Sequence, residues 1–207
     1  MAGRDLGEGT RLAAATGAWI CFEDEAGQNL CPPKARTWAP RGHTPVVAVS
    51  GKGSGRVSVA GLVCLRPGAR DHLFYRLRIH RGRKGERRSM SEEDYAGLFT
   101  AAHQELHAPV ILIWDNLNTH ISAAMHALIG ARSGWLTEVR LPSYAPELNP
   151  AEGVWANMKN GLGNLAASTV DQLAATMGNR LRRIQHRPVL ISGFLAQTGL
   201  TLQPQPP

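Results

Sequence analysis

The sequence predicts an α/β fold, a central mixed five-stranded sheet flanked by helices, on three observations. Short apolar runs rich in β-favouring residues, such as 109–114 (PVILIW), are bounded by turn-forming residues. The later runs alternate with segments whose apolar residues recur at helical spacing, the strand–helix alternation of an α/β chain. Finally, 207 residues, 43% of them hydrophobic and 19% charged, suffice for one full-sized core and are short for two.

The elements follow in order. Residues 1–18 are rich in Gly and Ala and read as a linker remnant, and Ala18 to Phe22 is a buried strand running into the acidic FEDEAG. CPPKARTWAPRGHTP is then a loop or hairpin excursion. Residues 45–50 (PVVAVS) and 56–65 (RVSVAGLVCL) are the next two strands, divided by the turn-forming GKGSG. After a basic loop, SEEDYAGLFTAAHQEL has Ser91 as N-cap, acids in its first turn, and Tyr95, Leu98, Phe99, Ala102 and Leu106 on one face of a helix. PVILIW is a continuous apolar run, as expected for a strand covered on both faces, and it ends at Asp115. A helix over 121–130, a strand over 136–142 (LTEVRLP) and a helix opening at Asn149 come next. The last helix carries Val170, Leu173, Met177, Leu181 and Ile184 on one face behind a Ser168/Asp171 capping box. Residues 201–207 read as a flexible tail.

Composition narrows the function classes. No apolar run approaches the roughly 20 residues that cross a bilayer, and the N-terminus has charges where a secretory signal would be apolar, so a cytoplasmic protein is predicted. Cys21, Cys31 and Cys64 have no CxxC spacing and suggest neither a disulfide framework nor a zinc ribbon. His103 and His107 form an i, i+4 pair in HQELH, but the glutamate is one place from the HExxH position and no third ligand is evident, so zinc is set aside. The net charge is +7, and residues 76–88 (RLRIHRGRKGERR) hold seven Arg/Lys against one Glu. Such a run is either a solvated loop or a phosphate-binding surface.

The stretch YAPELNPAEGVW, residues 144–155, gives Glu152 two readings. With Asn149 as N-cap and Pro150 at N1, Glu152 falls at N3, the reciprocal position of a capping box. It also has other carboxylates to work with, because Asp24 and Asp115 lie on central strands and the first turn of a following helix can reach the same cleft. Carboxylates are the natural ligands of Mg²⁺ or Mn²⁺, which keep waters and substrate phosphate as their other ligands. Two such ions about 3.5–4 Å apart support in-line phosphoryl displacement.

In FEDEAG, RTWAPRGHTP, ILIWDNLNTH and APELNPAEGVW the chain resembles, in order, the motifs of the DDE catalytic domain of mariner-related bacterial transposases of the insertion sequence 630 family. The 36 residues between Asp115 and Glu152 are close to that superfamily's usual interval. The resemblance implies an RNase H-like catalytic domain over 19–200, with Asp24, Asp115 and Glu152 as catalytic metal ligands for Mg²⁺ or Mn²⁺. It also implies cut-and-paste DNA transposition by a polynucleotidyl transferase: hydrolysis at the element ends, then attack of each 3′-hydroxyl on TA target DNA, carried out by a homodimer at the nucleoid. Glu152 is then both cap-positioned and a ligand.

The neighbouring residues follow from these readings. Arg81, Arg83, Lys84, Arg87 and Arg88 are predicted phosphate contacts; Arg36, Trp38 and Arg41 lie in a loop expected near DNA or a partner subunit. Glu23 and Glu25 should face away from Asp24 and be supporting or solvated. Asn116 and His120 match the family pattern, with His120 either orienting a water or phosphate, or bonded locally. An RNase H-like nuclease would have no reason to carry RTWAPRGHTP or NPAEGVW, and a non-catalytic DNA-binding relic would be free to lose an acid. With 18 residues before Trp19, too few for a helix-turn-helix module, the chain reads as the downstream half of a split transposase whose upstream product carries that module.

Overall fold

The computed structural model describes residues 6–33, 38–43, 46, 55–117, 119–142, 145–165 and 167–202. Three strands, β1 (Trp19–Asn29), β2 (Arg56–Leu65) and β3 (His72–His80), form an antiparallel meander. On the other side of β1, β4 (Val110–Trp114) and β5 (Leu136–Arg140) add in parallel, so the sheet order is β3-β2-β1-β4-β5. Parallel neighbours need crossovers, and α2 (Glu92–Leu106) and α3 (Ala123–Gly130) supply them. The remaining helices are α1 (Leu6–Thr16), α4 (Ala151–Asn160), α5 (Val170–Gln185) and α6 (Pro188–Gln197). This is the mixed five-stranded, helix-flanked RNase H-like arrangement predicted.

Alternation along the strands builds a core on each face of the sheet. Ile20, Phe22, Val59, Val63, Ile111 and Ile113 pack against α1, α4, α5 and α6. Cys21, Leu62, Leu112 and Trp114 point the other way, onto Tyr95, Leu98 and Phe99 of α2 and Met125 of α3. Cys21 and Cys64 are buried free thiols and Cys31 is an exposed one. No helix among the described residues is long and apolar enough to cross a membrane.

The structure departs from the sequence reading in four places. Residues 76–80, read as the start of a basic loop, are the second half of β3, where Tyr75, Leu77 and Ile79 pack on the core and the alternate Arg76 and Arg78 ion-pair with Asp94 of α2. Cations are natural on such an edge strand, because they discourage further strand pairing. The strand expected over 45–50 falls outside the described residues, apart from an exposed Val46. The segment read as linker carries α1, which docks on the sheet through Gly9 and Ala13. α6 was not anticipated; it lies against α4 so closely that a Cβ on Gly153 would meet the Phe194 ring at 2.7 Å. The α5 cap is not Ser168/Asp171: Thr169 accepts from Gln172 N, and Gln172 Oε1 accepts from Ser168 N. The Ser91 cap of α2 is as predicted, with Asp94 completing the box.

Candidate active site

β1 is long enough to carry FEDEAG inside the sheet, so Asp24 is held on a rigid element, directly across from Gly61 of β2. Its Oδ1 accepts from Glu25 N and its Oδ2 from the indole Nε1–H of Trp155, both at 2.9 Å. Trp155 comes from α4, three residues after Glu152 and therefore on nearly the same helix face. The ring lies over Gly61, where a Cβ would stand 2.5 Å from Cη2. Only glycine leaves room for it. Burial, then the charge of Glu152, raises the Asp24 pKa to about 6, while the Trp155 and Glu25 donors partly oppose the rise and Asp115 adds to it.

Asp115 follows the last residue of β4 and is more than half exposed. Leu117 N donates to its Oδ1 at 3.0 Å, and His120 Nδ1 stands 2.9 Å from the same oxygen. These contacts, His120 first, hold its carboxyl below the usual range against a smaller effect of burial. His120 itself is buried, stacked on Trp114 at 4.1 Å, so it supports Asp115 rather than reaching out to a phosphate. Behind it, Glu23 is fully buried, not solvated. Its Oε2 lies 3.3 Å from His120 Nε2, but the two are not aligned for a hydrogen bond. Burial, with Asp24, Glu25 and Asp115 nearby, pushes the Glu23 carboxyl well above its ordinary range. Glu25, on the same face, accepts from Met90 N.

Glu152 lies in the first turn of α4 and is exposed. It does not close a capping box, because Asn149 N donates to Pro146 O at 2.9 Å. Asn149 does the fastening: its Oδ1 accepts from Ala151 N, and its Nδ2 donates to the Glu23 carbonyl, each at 3.0 Å. This ties the start of α4 to β1 one residue before Asp24 and leaves the Glu152 carboxylate to face the groove.

Asp24, Asp115 and Glu152 line one open groove with Asn116 and Asn149. A contiguous concavity of about 430 Å³ runs from Asp24 and Asp115 to Arg56, Arg88 and Lys159. Of the predicted DNA contacts, Arg88 lines it. Arg81 is held by Asp171 at 2.6 Å, and Arg83, Lys84 and Arg87 are exposed further along the loop. Trp38 and Arg41 are exposed and do not line these concavities, and Arg36 lies outside the described residues. Sequence reasoning missed Trp155, Arg56 and Lys159; the i, i+3 spacing of Glu152 and Trp155 was the one signal available for the first.

The donor set suits a hard divalent cation: three carboxylates, two of them raising the proton affinity of the third, are the charge that such an ion relieves. Among the described residues no group of three His, Cys, Asp or Glu side chains forms a ready-made metal cage. Mg²⁺ does not demand one, since it is commonly held by one or two carboxylates together with substrate phosphates and water.

Comparison with protein families matches residues 19–174 to the DDE superfamily endonuclease. No curated protein sequence matches the chain. Among solved structures, the Mos1 mariner paired-end complex with Mn superposes with a TM-score of 0.57 at 15% identity, covering 93% of this chain and 61% of that one. The Mos1 paired-end complex with Mg gives 0.56 at 15%, covering 88% and 56%. The Mos1 transposase paired-end complex with left transposon end gives 0.53 at 16%, covering 89% and 56%. At these identities the likeness establishes the fold, and the chain spans little more than half the length of these transposase chains.

Proposed function

Since this chain belongs to the DDE superfamily endonucleases, we propose that it is the catalytic domain of a DNA transposase that cleaves phosphodiester bonds at element ends and joins the freed 3′-hydroxyls to target DNA. The observation that carries this reading is the convergence of Asp24, Asp115 and Glu152 on one groove, where burial and then the charges of Glu152 and Asp115 raise the proton affinity of Asp24. Mg²⁺ or Mn²⁺ bound by these carboxylates would activate the attacking oxygen and stabilise the leaving one. The chain's own residues prepare the site. Trp155 and the Glu25 amide orient Asp24, His120 and the Leu117 amide orient Asp115, and Asn149 sets Glu152 at the rim. Arg56, Arg88 and Lys159 give the groove positive charge to hold a nucleic-acid backbone beside the acids, and Arg83, Lys84 and Arg87 extend that track.

The Mos1 paired-end complexes support transposon-end DNA as the partner. The TA target, the insertion sequence 630 affiliation and a homodimeric working unit rest on the resemblance of the sequence motifs.

The test is nicking of supercoiled plasmid with Mg²⁺. Asp115→Asn and Glu152→Gln are each expected to abolish nicking while circular dichroism stays unchanged, because the amides keep size but weaken metal binding. Wild-type rates in both variants would remove the carboxylates from the mechanism, and a wild-type chain that binds DNA without nicking it would mark a non-catalytic relic.

A further inference from the structure

A second basic surface lies away from the carboxylates. Residues 180–187, RLRRIQHR, contain four arginines and no acid. Leu181 and Ile184 are buried in the core, which turns Arg182, Arg183, His186 and Arg187 outward, all exposed. Together with Asn179 they line a concavity of about 470 Å³. None of its lining residues belongs to the carboxylate groove. Gln185 Nε2 donates to Leu73 O at 2.8 Å, which places this end of α5 at the start of the edge strand β3, two strands from β1.

Structural roles account for only part of this charge. Arg182 and Arg183 in the last turn of α5 complement the negative end of its dipole. Arg187 stands at the N-cap of α6, makes no side-chain cap bond there, and puts a cation where the helix end is already positive. Arg76 and Arg78 share an ion pair with Asp94, and Arg81 is paired with Asp171. Among the described residues, Arg182, Arg183 and Arg187 have no such ion pair. A concave group of guanidinium forks without acids matches the phosphate oxygens of a nucleic-acid backbone.

We propose that Arg182, Arg183 and Arg187 form a second DNA-backbone site, which holds a duplex other than the one in the carboxylate groove. The inference rests on the transposase reading, in which element-end and target DNA must be held together. It needs no base recognition, since phosphate contacts position DNA without reading sequence.

The experiment uses the whole chain without added metal, so that binding is read apart from cleavage. The triple variant Arg182→Ser, Arg183→Ser, Arg187→Ser is compared with wild type for affinity to duplex DNA across salt, and for capture of a labelled duplex by chain bound to an immobilised one. Each lost phosphate contact removes about 0.9 from the log–log salt slope, so the triple is expected to lose about 2 to 3 and to capture little second duplex. The corresponding triple lysine variant, which keeps the charge, should retain most of both. An unchanged slope, or a wild-type chain that does not bind duplex, overturns the site. A reduced slope with capture intact overturns the second-duplex assignment, because the arginines would then touch the same DNA as the groove. The transposase reading fails separately, when Asp115→Asn nicks like wild type.

Discussion

Gly61 faces Asp24 across the β1–β2 pair, and the Trp155 ring occupies the space that any larger residue would need. In Gly61→Ala the new methyl would lie 2.5 Å from Cη2 and 2.9 Å from Cζ2 of a ring that is itself buried in the core. Relieving that overlap requires a shift of roughly 1 Å at ordinary van der Waals separations. The same shift would lengthen the 2.9 Å Nε1–Oδ2 bond to Asp24 beyond hydrogen-bonding range. Overpacking costs about 1–3 kcal/mol and a hydrogen bond to a charged acceptor about 1.5–3, and the two overlap because one movement relieves the first by giving up the second. Alanine restores about 0.5–1 kcal/mol by restricting the unfolded chain. A net loss of about 1–3 kcal/mol is therefore expected, read as a lower urea midpoint at unchanged slope. The cost should shrink by at least about 1 kcal/mol in a Trp155→Phe background, where the smaller ring leaves space for the methyl. Wild-type stability, or an equal cost in both backgrounds, would refute the claim that the tryptophan is held between Gly61 and Asp24.

Two further outcomes follow from the acids. Because the folded chain raises Asp24 from 3.8 to about 6, it holds that proton more tightly than the unfolded chain; this contribution to stability is complete below about pH 4 and is lost as pH rises to about 6. Without metal, the stability of wild type relative to Asp24→Asn should fall over that window by up to about 3 kcal/mol, and a flat difference would mean that Asp24 is not perturbed. Burial also raises the Glu23 pKa above its unfolded value, a contribution to stability that is present at low pH and lost as pH rises, so the stability of wild type relative to Glu23→Gln should fall with rising pH in the same denaturation assay; a difference that does not change with pH would mean that Glu23 is not perturbed.

The sequence by itself determined the elements whose signal is local. PVILIW could only be a covered strand, the Ser91 cap and the apolar face from Tyr95 to Leu106 could only open and line a helix, and the carboxyl types and motif order marked Asp24, Asp115 and Glu152. Periodicity and capping are set within a few residues, so they survive without knowledge of the fold. The tertiary structure decided which groups meet. HLFYRLRIH became an edge strand because α2 brings Asp94 to Arg76 and Arg78, and those arginines thereby ceased to be a free phosphate surface. In RLRRIQHR, Arg182, Arg183 and Arg187 have no ion pair among the described residues and kept their charge. Trp155 reaches Asp24 across 131 positions of chain, and Asn149 reaches the Glu23 carbonyl across 126. Such contacts depend on sheet order and helix placement, which arise from the packing of the whole core and leave no mark in the spacing of neighbouring residues.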